Sequence, residues 1–298
     1  MDGILPIWKP IGMTSHDCVF KVRKHLRMKK VGHTGTLDPE VEGVLPLCLG
    51  KGTKIVPFLT DTDKTYKATI CLGKATDTED QTGVTIETKE VKQPLNKEKI
   101  KEVIADFEGD VEQVVPLYSA VKVNGKKLYE YARQNIEVER PKRTIRIHTI
   151  NFIETNYDEN TQQQTITFEV ECSKGTYIRT LCKDIGAVLG YPAHMKKLIR
   201  TKSGYFERED TIPLDTLLTM DIEDIQQHVL PLVTGVSHLD VLSVDEEMKQ
   251  RVLFGQKLRI PARRLITPKF RVEHQGELLA IYEYHENQEE IKPVRVFT

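Results

Sequence analysis

The residues best suited to chemistry in this 298-residue chain lie in the segment 31–53. Five glycines and two prolines crowd that segment, and Pro39 biases the backbone of Asp38 towards an extended conformation. A constrained backbone can hold one short carboxylate in a fixed direction, as a nucleophile or a general base requires. The alternative is a turn-rich connection, because aspartate before proline is also common in turns.

Local clusters of basic residues indicate a nucleic-acid partner, although the formal net charge is only −1, from 43 basic and 44 acidic residues. Phosphate backbones are bound by local basic patches rather than by net charge. The alternative is that each cluster is a solvated surface. The four clusters are Lys21, Arg23, Lys24, Arg27, Lys29 and Lys30; Lys122, Lys126 and Lys127; Arg140, Lys142, Arg143 and Arg146; and Lys196, Lys197, Arg200 and Lys202.

Several classes of protein are poorly supported by the sequence. The five cysteines form no Cys-x-x-Cys pair, which favours reduced thiols and argues against a zinc ribbon. No apolar run approaches the roughly 18 residues of a membrane-spanning helix, and the first residues do not resemble a secretion signal. The nucleotide-binding, dinucleotide-binding, serine-hydrolase and zinc-protease motifs are missing. We therefore expect a cytoplasmic protein with no cofactor and no metal site.

Two helices are predicted beside the candidate chemistry. Residues 16–28 read as a helix that Thr14 or Ser15 caps, with its apolar side facing the core. The consecutive Ser15, His16 and Asp17 do not form a catalytic triad, because neighbours on a helix point in different directions. A second helix is predicted to run to Leu189 with Thr176 as its cap. Its buried stripe is predicted to be Ile178, Leu181, Cys182, Ile185, Val188 and Leu189.

Tyr177 and Arg179 flank Ile178 at the start of that second helix, where they could face a cleft. For Arg179 the alternative is a surface ion pair, which is common and weak. Tyr66 begins an alternating strand over residues 64–73, in which a tyrosine is usually half-buried packing. Leu198, taken alone, would be a core residue.

The remaining pattern indicates an α+β protein in two parts. A helix capped by Asn96 precedes two long strands, 140–156 and 163–172, which are predicted to form an antiparallel hairpin. From about residue 238 the chain changes to short alternating strands, typical of a small β-barrel. We predict a catalytic domain over 1–236 and an RNA-binding domain over 237–298.

The segment His33-Thr34-Gly35-Thr36-Leu37-Asp38-Pro39, followed by Gly43-Val44-Leu45-Pro46, resembles the loop of the TruB-type pseudouridine synthases. The resemblance covers about residues 5–205, with several motifs in the expected order. Departures at Cys18, Gly52 and Val115 do not touch any residue to which a chemical role is assigned. The other matching segments are 9–15, 64–66, 76–83, 113–133, 172–181 and 193–201.

The resemblance implies a fold with a mixed, largely antiparallel central sheet flanked by helices, followed by a small C-terminal β-barrel of the PUA type. It implies an enzyme that converts the T-loop uridine at position 55 of tRNA to pseudouridine. This isomerisation needs no redox cofactor, nucleotide or metal. The implied partner is the T-arm of tRNA, with no membrane association, no obligatory protein partner and a monomeric enzyme.

The same resemblance implies the roles of individual residues. Asp38 would act as nucleophile or base, and the sequence does not separate attack on C1′, attack on the base and a glycal route. Arg179 would keep Asp38 ionised, because a nearby positive charge lowers the pKa of a carboxylate. Tyr66 would stack on the flipped uracil and relay its C5 proton.

The substrate-binding residues implied by the family are His33, Tyr66, Tyr177 and Leu198. His33 would hold the extruded nucleotide or its neighbour, and Tyr177 and Leu198 would close the base pocket. Two other functions stay open at this point: a tRNA-binding or tRNA-folding protein without essential catalysis, and a relative that modifies another RNA under an RNA guide.

Overall fold

A computed structural model describes residues 1–261 and 263–298. The strands are β1 Gly3–Lys9, β2 Val31–His33, β3 Glu42–Leu49, β4 Lys64–Leu72, β5 Lys74–Thr76, β6 Thr85–Thr88, β7 Gly109–Val114, β8 Lys122–Val123, β9 Lys126–Lys127, β10 Lys142–Asp158, β11 Gln163–Cys172, β12 Ala193–Ser203, β13 Phe206–Glu207, β14 Ile212–Pro213, β15 Val241–Ser243, β16 Leu258–Arg259, β17 Lys269–His274, β18 Glu277–Tyr284 and β19 Glu290–Val296. The α-helices are α1 Ser15–Leu26, α2 Val56–Thr60, α3 Lys97–Ala105, α4 Leu128–Arg133, α5 Ile178–Val188, α6 Leu214–Leu217, α7 Ile222–Gln227 and α8 Glu246–Leu253.

The chain folds into two compact units, each made of separated stretches of sequence. The first unit comprises Met1–Pro39, Val44–Asp61 and Gly204–Thr298, and the second comprises Glu40–Gly43 and Thr62–Ser203. The domain boundary near residue 236 stays a prediction.

The second unit is built on long antiparallel strands. Their order is β12, β4, β11, β10 and β7, and β10 with β11 forms the predicted hairpin. The first two residues of β3 pair in parallel with Ile199 and Arg200 of β12. Helix α5 packs on β12, where the glycine at position 186 lets Ala193 approach closely.

The first unit places helix α1 over the core formed with β1, β2 and β3. Val19, Val22 and Leu26 of α1 are buried in that core, as their spacing predicts. The helix begins with a capping box, in which Asp17 N–H donates to Thr14 Oγ1 at 3.0 Å and Thr14 N–H donates to an Asp17 carboxylate oxygen at 2.9 Å. The choice between Thr14 and Ser15 is thereby settled in favour of Thr14.

The C-terminal strands form a five-stranded sheet in the order β15, β17, β18, β19 and β16. Gln275 and Gly276, both with positive φ, make the tight turn of the β17–β18 hairpin. Phe270, Val272 and Tyr282 lie in a buried cluster beneath α8. This curled sheet and the mixed, largely antiparallel sheet confirm the predicted fold class.

Two local predictions about α5 are wrong. Tyr177, not Thr176, is the residue that precedes the helix, because the Thr176 hydroxyl donates to Ser173 O at 2.8 Å instead of capping. Val188 is 60% exposed, whereas Ile178, Leu181, Cys182, Ile185 and Leu189 are buried as expected. At 3.6 residues per turn, Val188 lies about 80° around the helix from Ile178, at the edge of the apolar stripe, whereas Leu189 lies within it.

The five cysteines are buried, unpaired thiols, as predicted. Burial raises the pKa of Cys48 and of Cys172 to about 12, so both stay protonated at neutral pH. No helix in residues 1–261 and 263–298 is long and apolar enough to cross a membrane.

Candidate active site

The Asp38 loop connects β2 to β3 and is fixed by backbone hydrogen bonds on both sides of Asp38. Ser15 Oγ accepts from Leu37 N–H at 2.8 Å and lies 3.3 Å from Leu37 O. Gly12 N–H donates to Pro39 O at 2.9 Å. The start of α1 therefore holds the residues immediately before and after a half-buried Asp38.

Lys9 also fixes the Asp38 loop, through its buried side chain. Its side chain is fully buried, and its ammonium donates to Pro10 O at 2.8 Å and to Pro39 O at 3.3 Å. A buried ammonium requires such partners, since an unpaired charge in the core is costly. Lys9 is therefore a structural clamp on Pro39, a role that the sequence did not reveal.

His33 lies at the end of β2, half-buried and close to the Asp38 loop in sequence. Gly35 N–H donates to His33 Nδ1 at 3.3 Å, so a neutral His33 carries its proton on Nε2. Thr34 N–H donates to Pro46 O at 3.2 Å and fixes the turn that follows. These two hydrogen bonds define the conformation of the backbone from His33 to Gly35.

Tyr66, Ala68, Leu198 and Arg200 share one face of the second unit's sheet. In the antiparallel pairing of β4 with β12, Tyr66 lies opposite Arg200, and Ala68 lies opposite Leu198. Directly opposite residues have side chains within contact distance on one face. Tyr66 and Leu198, two of the predicted substrate-binding residues, are therefore neighbours on this face.

Arg200 holds the hydroxyl end of Tyr66. Arg200 is 1% exposed, and its side chain makes a hydrogen bond with the side chain of Tyr66. Burial lowers the pKa of Arg200, and the interaction with Tyr66 opposes that effect. A guanidinium donor leaves the Tyr66 oxygen as acceptor and fixes the position of the hydroxyl end of the side chain.

Gly43 allows the backbone of Arg200 to come close. Gly43 has φ +135, and a Cβ there would lie 2.3 Å from Arg200 O and 2.6 Å from Arg200 N. Both atoms belong to the backbone and cannot rotate away. A side chain at position 43 would consequently displace the strand that carries Arg200 and Leu198.

Replacement of Gly43 by alanine is expected to lower the free energy of unfolding by about 2–5 kcal/mol, from left-handed strain and the backbone clash together. Urea unfolding measures this loss. Gly109→Ala is the matched control, since Gly109 has φ +105 and no atom of the described residues lies within 4 Å of the position that a Cβ would take there. Equal losses in the two variants would show that strain alone is responsible and that the close approach is unimportant.

Arg179 lies in the first turn of α5 and is 8% exposed. Its Nη1 donates to Thr78 O at 3.0 Å, and its Nη2 donates to Tyr118 O at 3.1 Å. The carboxylate of Asp80 lies 3.7 Å from Nη1. These contacts contradict the alternative of a surface ion pair, because Arg179 is buried and multiply bonded.

The start of α5 is fixed by two further buried side chains. Gln113 accepts from Tyr177 N–H at 3.1 Å and donates to Tyr177 O at 3.2 Å. Glu79, only 7% exposed, accepts from Thr180 Oγ1 at 2.8 Å and from Lys183 Nζ at 2.9 Å. The residues on both sides of Arg179 are therefore anchored.

The predicted site residues fall into the two units. Asp38 and His33 belong to the first unit, and Tyr66, Tyr177, Arg179 and Leu198 belong to the second. Sequence reasoning did not assign Arg200 or Asp80 to the site. The alternation of β12, which puts Arg200 two positions after Leu198 and on its face, is the signal that could have found Arg200.

A metal site finds no support in the part of the chain that the structure describes, where no group of three or more histidine, cysteine, aspartate or glutamate side chains could hold an ion. The first unit supplies the carboxylate of Asp38, and the second supplies Tyr66 and the buried guanidinium groups of Arg179 and Arg200. Such a set suits nucleophilic or acid–base chemistry on an organic substrate.

Two solved structures share the fold across nearly the whole chain. A chain in the crystal structure of a Cbf5–Nop10–Gar1 complex matches with a TM-score of 0.77 and 28% identity, over 99% of this chain and 85% of that one. A chain in the structure of an H/ACA ribonucleoprotein bound to a substrate RNA containing 2′-deoxyuridine matches with a TM-score of 0.74 and 25% identity, over 99% and 85%.

The family comparison defines the class of protein as a pseudouridylate synthase. Residues 23–178 match the N-terminal domain of the TruB family pseudouridylate synthases, and residues 179–237 match the tRNA pseudouridylate synthase B C-terminal domain. The chain belongs to the TruB family, which confirms the resemblance seen in its motifs.

Two relatives that align with this chain over almost their full length are about half identical to it in sequence. The tRNA pseudouridine synthase B of Oceanobacillus iheyensis is 52% identical over 301 residues, which is 100% of this chain and 98% of that protein. The protein of the same name from Bacillus subtilis is 47% identical over 302 residues, covering 99% and 97%.

Proposed function

We propose that this protein converts uridine 55, in the T-loop of tRNA, to pseudouridine. The observation that carries the proposal is the 52% identity, over the whole chain, to a relative named tRNA pseudouridine synthase B. The anchored Asp38 loop adds physical support, since a reacting carboxylate must be held in one direction. We propose a monomeric, cytoplasmic enzyme that acts on the T-arm without an obligatory protein partner.

The reaction detaches uracil from C1′ of the ribose and reattaches it through C5. A base inside a folded RNA loop is not accessible to a side chain, so the enzyme must extrude it into a pocket. The C1′–N1 bond breaks and a C1′–C5 bond forms, while C5 loses its proton and N1 gains one, so the exchange is an isomerisation without net oxidation or reduction. The proposed reaction therefore runs with amino-acid side chains alone.

Asp38 is the proposed catalytic carboxylate. It acts either as the nucleophile or as the base that starts cleavage of the glycosidic bond. Its half-buried position and the clamps on Leu37 and Pro39 limit its motion. Attack on C1′, attack on the base and a glycal route all begin with a carboxylate held in this way.

The proposed pocket for the uracil lies on the face shared by Tyr66 and Leu198. The Tyr66 ring stacks on the extruded base, and Leu198 contributes an apolar wall. Arg200 holds the Tyr66 hydroxyl, so that the position of this hydroxyl is set before the RNA binds. Tyr177 closes the pocket at the start of α5, and His33 holds the extruded nucleotide or its neighbour.

Arg179 is the proposed electrostatic partner of the reaction. Two backbone carbonyls and Asp80 fix its guanidinium, so its charge has one position. A guanidinium held in one position stabilises negative charge that develops near it during the reaction. A lysine or a flexible arginine would supply the charge without the fixed geometry.

Release of tritium from C5 of uridine tests the function. A tRNA transcript labelled with [5-³H]uridine is expected to release one tritium per molecule to water when incubated with the protein. A transcript with cytidine at position 55 is the control and is expected to release none. Tight binding without tritium release from any tRNA would refute the proposal and favour a tRNA-folding protein. Tritium release from the cytidine transcript would show that the modified uridine lies at another position.

A further inference from the structure

A cleft of about 750 Å³ runs along the exposed side of α1 in the first unit. Its lining includes Met13, Phe20, Lys21, Lys24, Arg27 and Leu218. Phe20 is 63% exposed, although the apolar positions of α1 that build the core are buried. The core therefore does not require an aromatic residue at position 20.

The helical spacing brings this aromatic ring and the cations together. Phe20 and Lys24 are four residues apart on α1 and lie on one face, and Arg27, which follows the end of the helix with φ +52, lines the same cleft. The rise of about 1.5 Å per residue puts Phe20 about 6 Å from Lys24 along the axis. Lys21 adds a third exposed cation beside Phe20.

Exposed cations outnumber carboxylates in the lining of the cleft. None of Lys21, Lys24 and Arg27 forms an ion pair within residues 1–261 and 263–298. Asp17, the carboxylate in the lining, accepts hydrogen bonds from the N–H and hydroxyl of Thr14 and also interacts electrostatically with Lys21. The cleft is thus an electropositive surface around an exposed ring.

The cleft begins beside the Asp38 loop. Gly12 lines the cleft, and its N–H is bonded to Pro39 O at 2.9 Å. An RNA strand that delivers a nucleotide to Asp38 would therefore pass close to this end of the cleft. This continuity favours RNA over a protein as the occupant.

We propose that this face of α1 is a second RNA subsite, in which an unpaired base stacks on Phe20 and the phosphates of the same strand bind Lys21, Lys24 and Arg27. The inference rests on the proposed function for the identity of the RNA. Single-stranded RNA is held by this combination, because every base has a π face and every nucleotide a phosphate. The subsite extends recognition beyond the modified nucleotide.

Substitutions of Phe20 test the stacking. The dissociation constant of the full-length protein for an unmodified tRNA transcript is expected to rise about five- to tenfold in Phe20→Ala. Phe20→Leu, which keeps apolar volume without a flat ring, is expected to weaken binding similarly, whereas Phe20→Trp is expected to stay within about twofold of the wild type. Thermal unfolding shows that each variant is folded, as an exposed position permits.

The salt dependence tests the phosphate contacts. A Lys21→Ala/Lys24→Ala double variant is expected to reduce the slope of log K against log salt by about 1.4–1.8, the value for two phosphate contacts. Lys99→Ala on α3 and Val188→Ala on α5 are matched controls at exposed positions and are expected to leave the affinity and the slope unchanged.

Two outcomes would overturn the subsite. Affinity of Phe20→Ala within twofold of the wild type excludes the stacked base, and the face would then be open to a protein partner. An unchanged slope in the double lysine variant excludes the phosphate contacts. Tritium release tests the proposed function separately. Binding of tRNA that depends on Phe20, without tritium release, would support the subsite and refute the reaction. Failure of the wild type to bind tRNA would refute both.

Discussion

Asp38→Asn is expected to lower the single-turnover rate of tritium release by at least about 10⁴-fold, which is the range found when an essential nucleophile or base is removed. Asparagine keeps the size of the side chain and the backbone clamps on Leu37 and Pro39. It has no negative charge to attack carbon or to take a proton. The affinity for unmodified tRNA should therefore stay within a few fold of the wild type, so that the loss appears in the rate.

A second substitution separates charge from geometry at the same position. Asp38→Glu keeps the carboxylate but moves it by one methylene, and we expect a loss of about 10²-fold or more because the reacting atoms are misplaced. Asp106→Asn, at the exposed end of α3, is the matched control for loss of a carboxylate. A rate for Asp38→Asn above one tenth of the wild type would refute the catalytic role.

Much of the fold follows from local patterns in the sequence. The alternation over residues 64–73 gives β4, and the two long strands around residues 157–162 pair as the predicted hairpin. The N-terminus of α1 is encoded within four residues, since Thr14 and Asp17 cap each other. Periodicity and capping act over one or two turns, so neighbouring residues are sufficient to reveal them.

The start of α5 could not be predicted in the same way. The hydroxyl of Thr176 is available as a cap in the sequence, but in the structure it bonds to Ser173 O. The backbone of Tyr177 is instead satisfied by the side chain of Gln113, 64 residues earlier in the chain. Long-range partners of this kind override a local capping preference and leave no local pattern.

The site is only partly visible in the sequence for a related reason. Arg200 reads as one member of a basic cluster, and its burial against Tyr66 depends on the register of β12 with β4. That register shifts twice, between Met195 and Lys197 and between Arg200 and Lys202. A slip of one residue would turn Arg200 to the other face. Asp80 could not be assigned from the sequence either, because there it resembles a turn residue and only the fold brings it close to Arg179.

Arg179→Lys is expected to reduce the single-turnover rate by about 10²–10³-fold, although the charge is retained. A lysine ammonium is a single point on a flexible stem and cannot donate to Thr78 O and Tyr118 O in the directions that the guanidinium fork provides. We also expect a loss of about 1–3 kcal/mol in the free energy of unfolding, because a carbonyl is left without its donor. Rates measured well below the unfolding transition separate the two effects.

Arg251→Lys is the matched control, since Arg251 lies on the exposed side of α8 and bonds through its Nε to Gln256. It is expected to change neither the rate nor the stability appreciably. If Arg179→Lys kept its rate within threefold, the charge alone would be sufficient and the fixed geometry unnecessary. If it lost stability but kept its rate, Arg179 would be a structural tie between α5 and the segment around Thr78. A lower rate in a folded Arg179→Lys variant would show that the buried hydrogen bonds of Arg179 contribute to catalysis.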